Sequence, residues 1–245
     1  MKSRFCIVGA TRGTGLLIAQ QLLQSGVRVR VVVRNIENAR RILGDRVEVI
    51  QGDVTDARSV REALAEDDKA IFFTVAATGG IDGRALFGSP TAIREVTYQG
   101  LLNVVEAARS RCFTGRVILA SVVGVDRSSV MIRLLDKIKP GLQQNLMERE
   151  RYLRTSGLDY TIARAPILIN APAGKRNIQI TRAISKLTAG SKISRGDFAR
   201  VMILASQQTA ASGKTFEMFA AKGEAPSDEQ LLKQLEAIPP SPELR

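Results

Sequence analysis

The sequence predicts an α/β fold of Rossmann type: a doubly wound parallel sheet with helices on both faces and a small C-terminal substrate or lid region. Three observations predict it. A glycine turn, Gly9-Ala10-Thr11-Arg12-Gly13-Thr14-Gly15, joins an apolar strand, Phe5-Cys6-Ile7-Val8, to a helical stretch over residues 16–23. After the Ser25-Gly26 break comes an almost unbroken β-branched run over residues 27–33, which closes a βαβ unit. Strand-like and helix-like segments then alternate along the chain.

The elements follow in order. In the glycine turn, the absence of Cβ atoms lets backbone N–H groups at a helix start approach pyrophosphate oxygens. Gly9, Thr11, Arg12, Gly13, Thr14 and Gly15 are therefore the candidate phosphate contacts. The second strand ends at Arg34, where an NAD site usually places a carboxylate for the ribose hydroxyl. Arg34 and Arg12 together suit a 2′-phosphate, so the expected cofactor is NADP(H).

Val47-Glu48-Val49-Ile50 reads as a third strand, and Thr55 or Asp56 caps a helix to about residue 66. Residues 70–76 form a fourth, buried strand, followed by a glycine-rich loop over 78–90 and one long helix over 91–109. Arg116-Val117-Ile118-Leu119-Ala120 is the fifth strand and ends in Ser121. A helix over 142–155 stops at Ser156-Gly157, and Tyr160-Thr161-Ile162-Ala163 is the sixth strand, leading into Arg164-Ala165-Pro166. A helix over 197–206, a last strand over 215–219 and a capping box at Ser227-Asp228-Glu229-Gln230 complete the pattern.

Residues 1–220 are read as one dinucleotide-binding domain, with segments 126–141 and 166–195 beside the substrate and 221–245 as a C-terminal helix and tail. In such a sheet, ligands sit at the C-terminal strand ends. Gly9, Arg34, Asp53, Thr74 to Ala76, Ser121 and Arg164 to Pro166 all fall there.

Composition excludes several chemistries. Histidine is absent, which removes Ser-His-Asp hydrolysis and imidazole ligation. Cys6 and Cys112 are scattered, so neither a disulfide framework nor a metal site is expected. Thirty-six Lys and Arg against 24 Asp and Glu give a net charge of +12, more than a dinucleotide needs. The surplus points to an acidic protein partner, an anionic membrane surface touched peripherally, or a solvated basic surface. Aromatic residues make up only 4% of the chain and do not alternate with basic runs, which argues against nucleic acid. No apolar run approaches the ~20 residues of a membrane span. Met1-Lys2-Ser3-Arg4 runs straight into the first strand, so a cytoplasmic chain, or one already mature, is expected.

From about residue 4 to 219 the chain resembles the atypical short-chain dehydrogenase/reductase family, in its NmrA-like NAD(P)-binding branch. The resemblance is carried by residues 9–15, Val31-Val32-Val33-Arg34, Gly52-Asp53-Val54-Thr55-Asp56 and Val96-Thr97-Tyr98-Gln99-Gly100-Leu101-Leu102-Asn103. Ser156-Gly157-Leu158-Asp159-Tyr160-Thr161-Ile162 and Ile193-Ser194-Arg195-Gly196-Asp197-Phe198-Ala199 add to it. The resemblance implies adenine contacts from Asp53 and Val54 and a ribose or nicotinamide wall from Thr74, Val75 and Ala76. It further implies Ser121 near the nicotinamide, and Ala165 and Pro166 near the carboxamide. The chain departs from the branch at Arg12, which replaces a glycine. It departs again at Leu146, where many relatives carry lysine, and at Arg164-Ala165-Pro166-Ile167, where relatives read Arg-Pro-Gly-Gly.

The catalytic branch of that family uses Tyr-xxx-Lys on one helix face, the lysine lowering the phenol pKa. Tyr98, Tyr152 and Tyr160 are followed four residues later by Leu102, Ser156 and Arg164, so the motif is missing. Ser121 is the remaining catalytic candidate, with a cofactor contact the preferred role. Two classes of function are left: an NADPH-dependent reductase whose conjugated acceptor takes its proton from water, and a non-catalytic NADP-binding assembly or docking factor such as relatives in plastids, which would place a mature chain in the stroma. Segment 126–141 bears on the choice. Val130, Met131, Ile132, Leu134, Leu135 and Ile138 lie among Arg127, Arg133, Lys137 and Lys139, which reads as a pocket lid or as a partner-facing helix.

Overall fold

The computed structural model describes residues 3–75, 89–127, 130–184 and 191–241. Within them, β1 (Arg4–Val8) leads through the glycine turn into α1 (Gly13–Gln24) and β2 (Arg28–Val33). These are followed by α2 (Ile36–Leu43), β3 (Val47–Gln51), α3 (Ala57–Ala63) and β4 (Ala70–Phe73). Next come α4 (Pro90–Arg94), a π turn (Glu95–Gln99) and α5 (Gly100–Ser110), then β5 (Arg116–Val122), α6 (Val130–Ile138) and α7 (Leu142–Arg154). β6 (Asp159–Ala165), β7 (Ile167–Ile169), β8 (Asn177–Thr181), β9 (Lys192–Ser194), α8 (Arg195–Gln207), β10 (Lys214–Ala221) and α9 (Asp228–Ala237) complete the order.

The main sheet runs β3-β2-β1-β4-β5-β6-β10-β8. All pairings up to β10 are parallel, and the strand order reverses between β1 and β4, the crevice where dinucleotides bind in this architecture. One apolar layer packs Ile7, Ile18, Val31, Phe72, Ile118 and Phe216 with α1, α8 and α9. The opposite layer packs Cys6, Val8, Phe73, Leu119 and Ile162 with α3, α5 and Leu153 of α7. Strands buried on both faces explain the near-continuous apolar runs.

Five features differ from the sequence reading. The sheet is not wholly parallel: β8 joins β10 antiparallel, Met218 opposite Ile180, so part of segment 166–195 extends the sheet. A second, two-stranded sheet pairs β7 with β9. The helix expected over 91–109 contains the π turn at Glu95–Gln99. Finally, α2 was not anticipated, although Asn35 caps it through the Asn38 N–H at 2.8 Å. Asp56 caps α3, which ends at Ala63, short of residue 66. Ala76 and most of the glycine-rich loop lie outside the described residues, as do the side chains of Val130, Met131, Leu134 and Leu135.

Candidate functional site

The edge of the sheet at β1 is built to receive an anion. Arg12 is the N-cap of α1, in extended conformation, and no side chain caps the helix; its first turn carries no acid. The leading N–H groups of α1 therefore have no side-chain acceptor, which is the situation an anionic ligand relieves. Gly9 has φ +95°, and a Cβ there would meet Val75 at 2.9 Å. Gly15 is tighter still: a Cβ would stand 2.2 Å from the Gly9 carbonyl oxygen and 2.5 Å from Thr74 Oγ1. The helix thus rests directly on the turn. Thr74 locks the arrangement, its N–H and hydroxyl both donating to the Val8 carbonyl at 3.1 and 3.0 Å.

The flanking candidates lie along the same edge. Arg34 is exposed at the end of β2, and Gly9 N–H donates to Val32 of that strand, so the glycine turn and Arg34 are neighbours in the fold. Asp53 stands past β3, its carboxylate accepting from the Thr55 N–H at 3.0 Å and hydroxyl at 2.9 Å. Val54 is buried under Gly100, and its carbonyl accepts from Asn103 at 2.7 Å. Thr74 and Val75 follow β4 and are half-buried; Ala165 closes β6 and Pro166 is buried beside it.

Ser121 is the most changed by the tertiary structure. Its hydroxyl donates to Glu150 Oε1 at 2.6 Å, deep in the protein. Glu150 also accepts from Arg164 at 2.6 Å and from Arg154 at 2.8 Å. A carboxylate held by two guanidiniums only accepts, so the Ser121 proton is committed to it and lone pairs alone face outward. The network continues: Arg164 pairs with Asp126 at 2.6 Å, and Glu217 takes Arg127 and the Ile184 N–H. Glu217 thereby ties the loops before α6 and after β8 to β10. Sequence reasoning missed Glu150, Glu217 and Arg149, because a charged residue on a helix or strand looks like a solvated face until its neighbours are known.

The tyrosines are all engaged elsewhere. Tyr98 lies under the Arg94 guanidinium at 4.2 Å. Tyr152 donates to Glu106, and burial together with that bond pushes its phenol up to about 12. Tyr160 packs on the sheet. On α7, Leu142 and Leu146 stand four apart, at the Tyr-xxx-Lys spacing. Both pack with Val122, Val125 and Ile132 of α6. This part of α7 is thus an apolar cluster.

A sheet with this switch point, an uncapped helix start and a glycine cradle fits a dinucleotide pyrophosphate and defines a Rossmann nucleotide-binding protein. The chain belongs to the NAD(P)H-binding family, whose model matches residues 9–209. It is 30% identical over 231 residues to an uncharacterized chloroplastic protein of Arabidopsis thaliana, covering 90% of this chain and 77% of that one. A short-chain dehydrogenase/reductase from Veillonella parvula, solved in complex with NADP, superposes with TM-score 0.69 at 18% identity over 93% of this chain and 100% of that one. An anaerobillin reductase from Escherichia coli superposes with TM-score 0.69 at 22% identity, covering 92% of this chain and 100% of that one. Among the described residues, no helix is long and apolar enough to cross a membrane.

Proposed function

We propose that this protein is an NADPH-dependent reductase of a conjugated acceptor, a quinone, a flavin or a similar flat π-system, on an atypical short-chain dehydrogenase/reductase scaffold of the NmrA-like branch. The leucine pair on α7 carries the reading. Reducing a simple ketone leaves an alkoxide that needs a positioned acid. Leu142 and Leu146 offer none, the Ser121 proton is held by Glu150, the Tyr152 hydroxyl donates to Glu106, and neither Tyr98 nor Tyr160 has a lysine four residues on. A quinone or flavin spreads the charge over its rings and takes the proton from water. The protein then has only to hold two flat partners together and exclude solvent. Leu142, Leu146 and Ile132 make this part of α7 apolar, and the burial of Ile132 against Leu146 favours α6 packed on the body of the protein over α6 as a free docking helix.

NADPH, when bound, supplies the hydride. Its pyrophosphate belongs at Gly9, Thr11, Gly13, Thr14 and Gly15, and its 2′-phosphate at Arg34 and Arg12, with Asp53 and Val54 beside the adenine. Thr74, Val75, Ser121, Ala165 and Pro166 line the other half. The NADP in the Veillonella structure and the reductase activity in the Escherichia coli protein's name support the assignment. The chloroplastic relative supports a plastid location as the alternative to the cytoplasm.

The test is anaerobic NADPH oxidation against a panel of quinones and flavins, beside calorimetric NADPH titration. Turnover of at least one conjugated acceptor, with none of an aliphatic ketone, is the expected result. Tight NADPH binding with no acceptor at all would replace this reading by a non-catalytic docking factor that meets an acidic partner through its basic surface. In the same titrations, Arg34→Ala is expected to lower the preference for NADPH over NADH by about tenfold or more. An unchanged ratio would remove Arg34 from the site.

A further inference from the structure

Arg149 is a charge left over by the fold. It lies on α7, 2% exposed, and its Nη2 donates to the Ala120 carbonyl at 2.9 Å. Pairing of β4 with β5 ends at Phe73 opposite Leu119, so the Ala120 carbonyl that holds the guanidinium is one residue beyond that ladder. Nε and Nη1 are buried and have no hydrogen-bond partner among the described residues. Thr97 Oγ1, on the π turn that packs against α7, is likewise buried without a partner. Helical spacing puts Thr97 and Arg149 between two tethers of these helices, Arg94 to Asn145 and Tyr152 to Glu106.

Arg149 adjoins Glu150 in sequence, but the Glu150 carboxylate is shared between Arg154 and Arg164. At this end of the sheet the guanidiniums of Arg127, Arg154 and Arg164 pair with the carboxylates of Asp126, Glu150 and Glu217, and among the described residues Arg149 joins none of these ion pairs. Burial lowers the Arg149 pKa to about 10, still far enough above neutrality to keep the group charged.

In a doubly wound sheet the pyrophosphate sits at the α1 start and the adenosine half extends over β2 and β3. The nicotinamide half therefore extends over β4 and β5, and Arg149 is bonded to Ala120 near the C-terminal end of β5. The oxidised nicotinamide ring carries a positive charge and the reduced ring carries none. We infer that Arg149 makes the site discriminate between the redox states of its cofactor, accepting NADPH and disfavouring NADP+. The inference rests on the proposed NADPH-binding function and gives it a direction: the reductant binds and the spent cofactor is expelled. Arg149 acts through its field, as a specificity-determining residue that transfers no proton.

The experiment is calorimetric titration of NADPH and of NADP+, without acceptor, into the wild-type protein, Arg149→Gln and Arg149→Lys. Glutamine is neutral but keeps a donor for the Ala120 carbonyl; lysine keeps the charge. The wild type is expected to bind NADPH about tenfold or more tighter than NADP+, the scale of one unit charge at a partly solvated edge. Arg149→Gln is expected to bring the two affinities within about twofold, chiefly by tightening NADP+, while Arg149→Lys retains most of the gap. Equal affinities in the wild type, or an unaltered gap in Arg149→Gln, would overturn the inference. Binding of neither dinucleotide would instead overturn the function on which it rests.

Discussion

Gly15→Ala is expected to cost the protein both its cofactor and part of its stability. The added Cβ would stand 2.2 Å from the Gly9 carbonyl oxygen and 2.5 Å from Thr74 Oγ1. Neither neighbour can yield freely: Gly9 is part of the cradle backbone, and Thr74 is hydrogen-bonded to Val8. Helix α1 must therefore lift off the turn, carrying with it the N–H groups that would face a pyrophosphate. Overpacking of this kind costs about 1–3 kcal/mol. The loss in NADPH affinity is expected to be larger, about a hundredfold, because donors displaced by an ångström no longer converge on one anion. Gly13→Ala is the informative companion. Nothing lies within 4 Å of its would-be Cβ, but its φ is +57°, so the penalty is backbone strain of about 1–2 kcal/mol with the helix still seated. Urea midpoints and NADPH titrations on both variants check the argument. Equal effects of the two substitutions on binding would refute close packing as the purpose of Gly15.

Glu150→Ala is expected to be the most destabilising single substitution considered, by about 3–5 kcal/mol, because it strips the buried Arg164 guanidinium of the carboxylate on its Nε and Nη2, Asp126 and Glu217 reaching only Nη1. Glu150 is 1% exposed and holds Arg164, Arg154 and Ser121 together. Its removal also releases the Ser121 hydroxyl. The contrast is Glu62→Ala, which breaks the exposed i,i+4 pair with Arg58 and should leave the denaturant midpoint where it was. A change below about 1 kcal/mol in Glu150→Ala would mean that the network is solvated, and that the Ser121 proton is free for chemistry after all.

Much of the site was legible because it is local. The glycine turn, Arg34 and the capping residues Asp56 and Ser227 depend on short stretches whose backbone demands show in the residue types. The resemblance to a dehydrogenase family adds further residues at the sheet edge and implies a lysine where Leu146 stands. The antiparallel β8 was not legible, since Asn177–Thr181 alternates like any edge strand and its direction is set by β10 alone. Nor was the π turn, where Val96-Thr97-Tyr98 scans as ordinary helix. The meaning of Leu142 was hidden until Val125 and Ile132 were seen against its neighbour Leu146.

By itself the sequence determined the alternation of strands and helices, the anion cradle and the lack of a tyrosine–lysine pair, all properties of residues within a few positions of one another. Only the tertiary structure decided where charges end up. Glu150, Glu217 and Arg149 are ordinary surface residues as letters, and become a buried, unequal set of charges because β5, β6, β10 and α7 converge. Coulomb energies inside a protein depend on which distant groups share the same dry space, and that is a property of the fold.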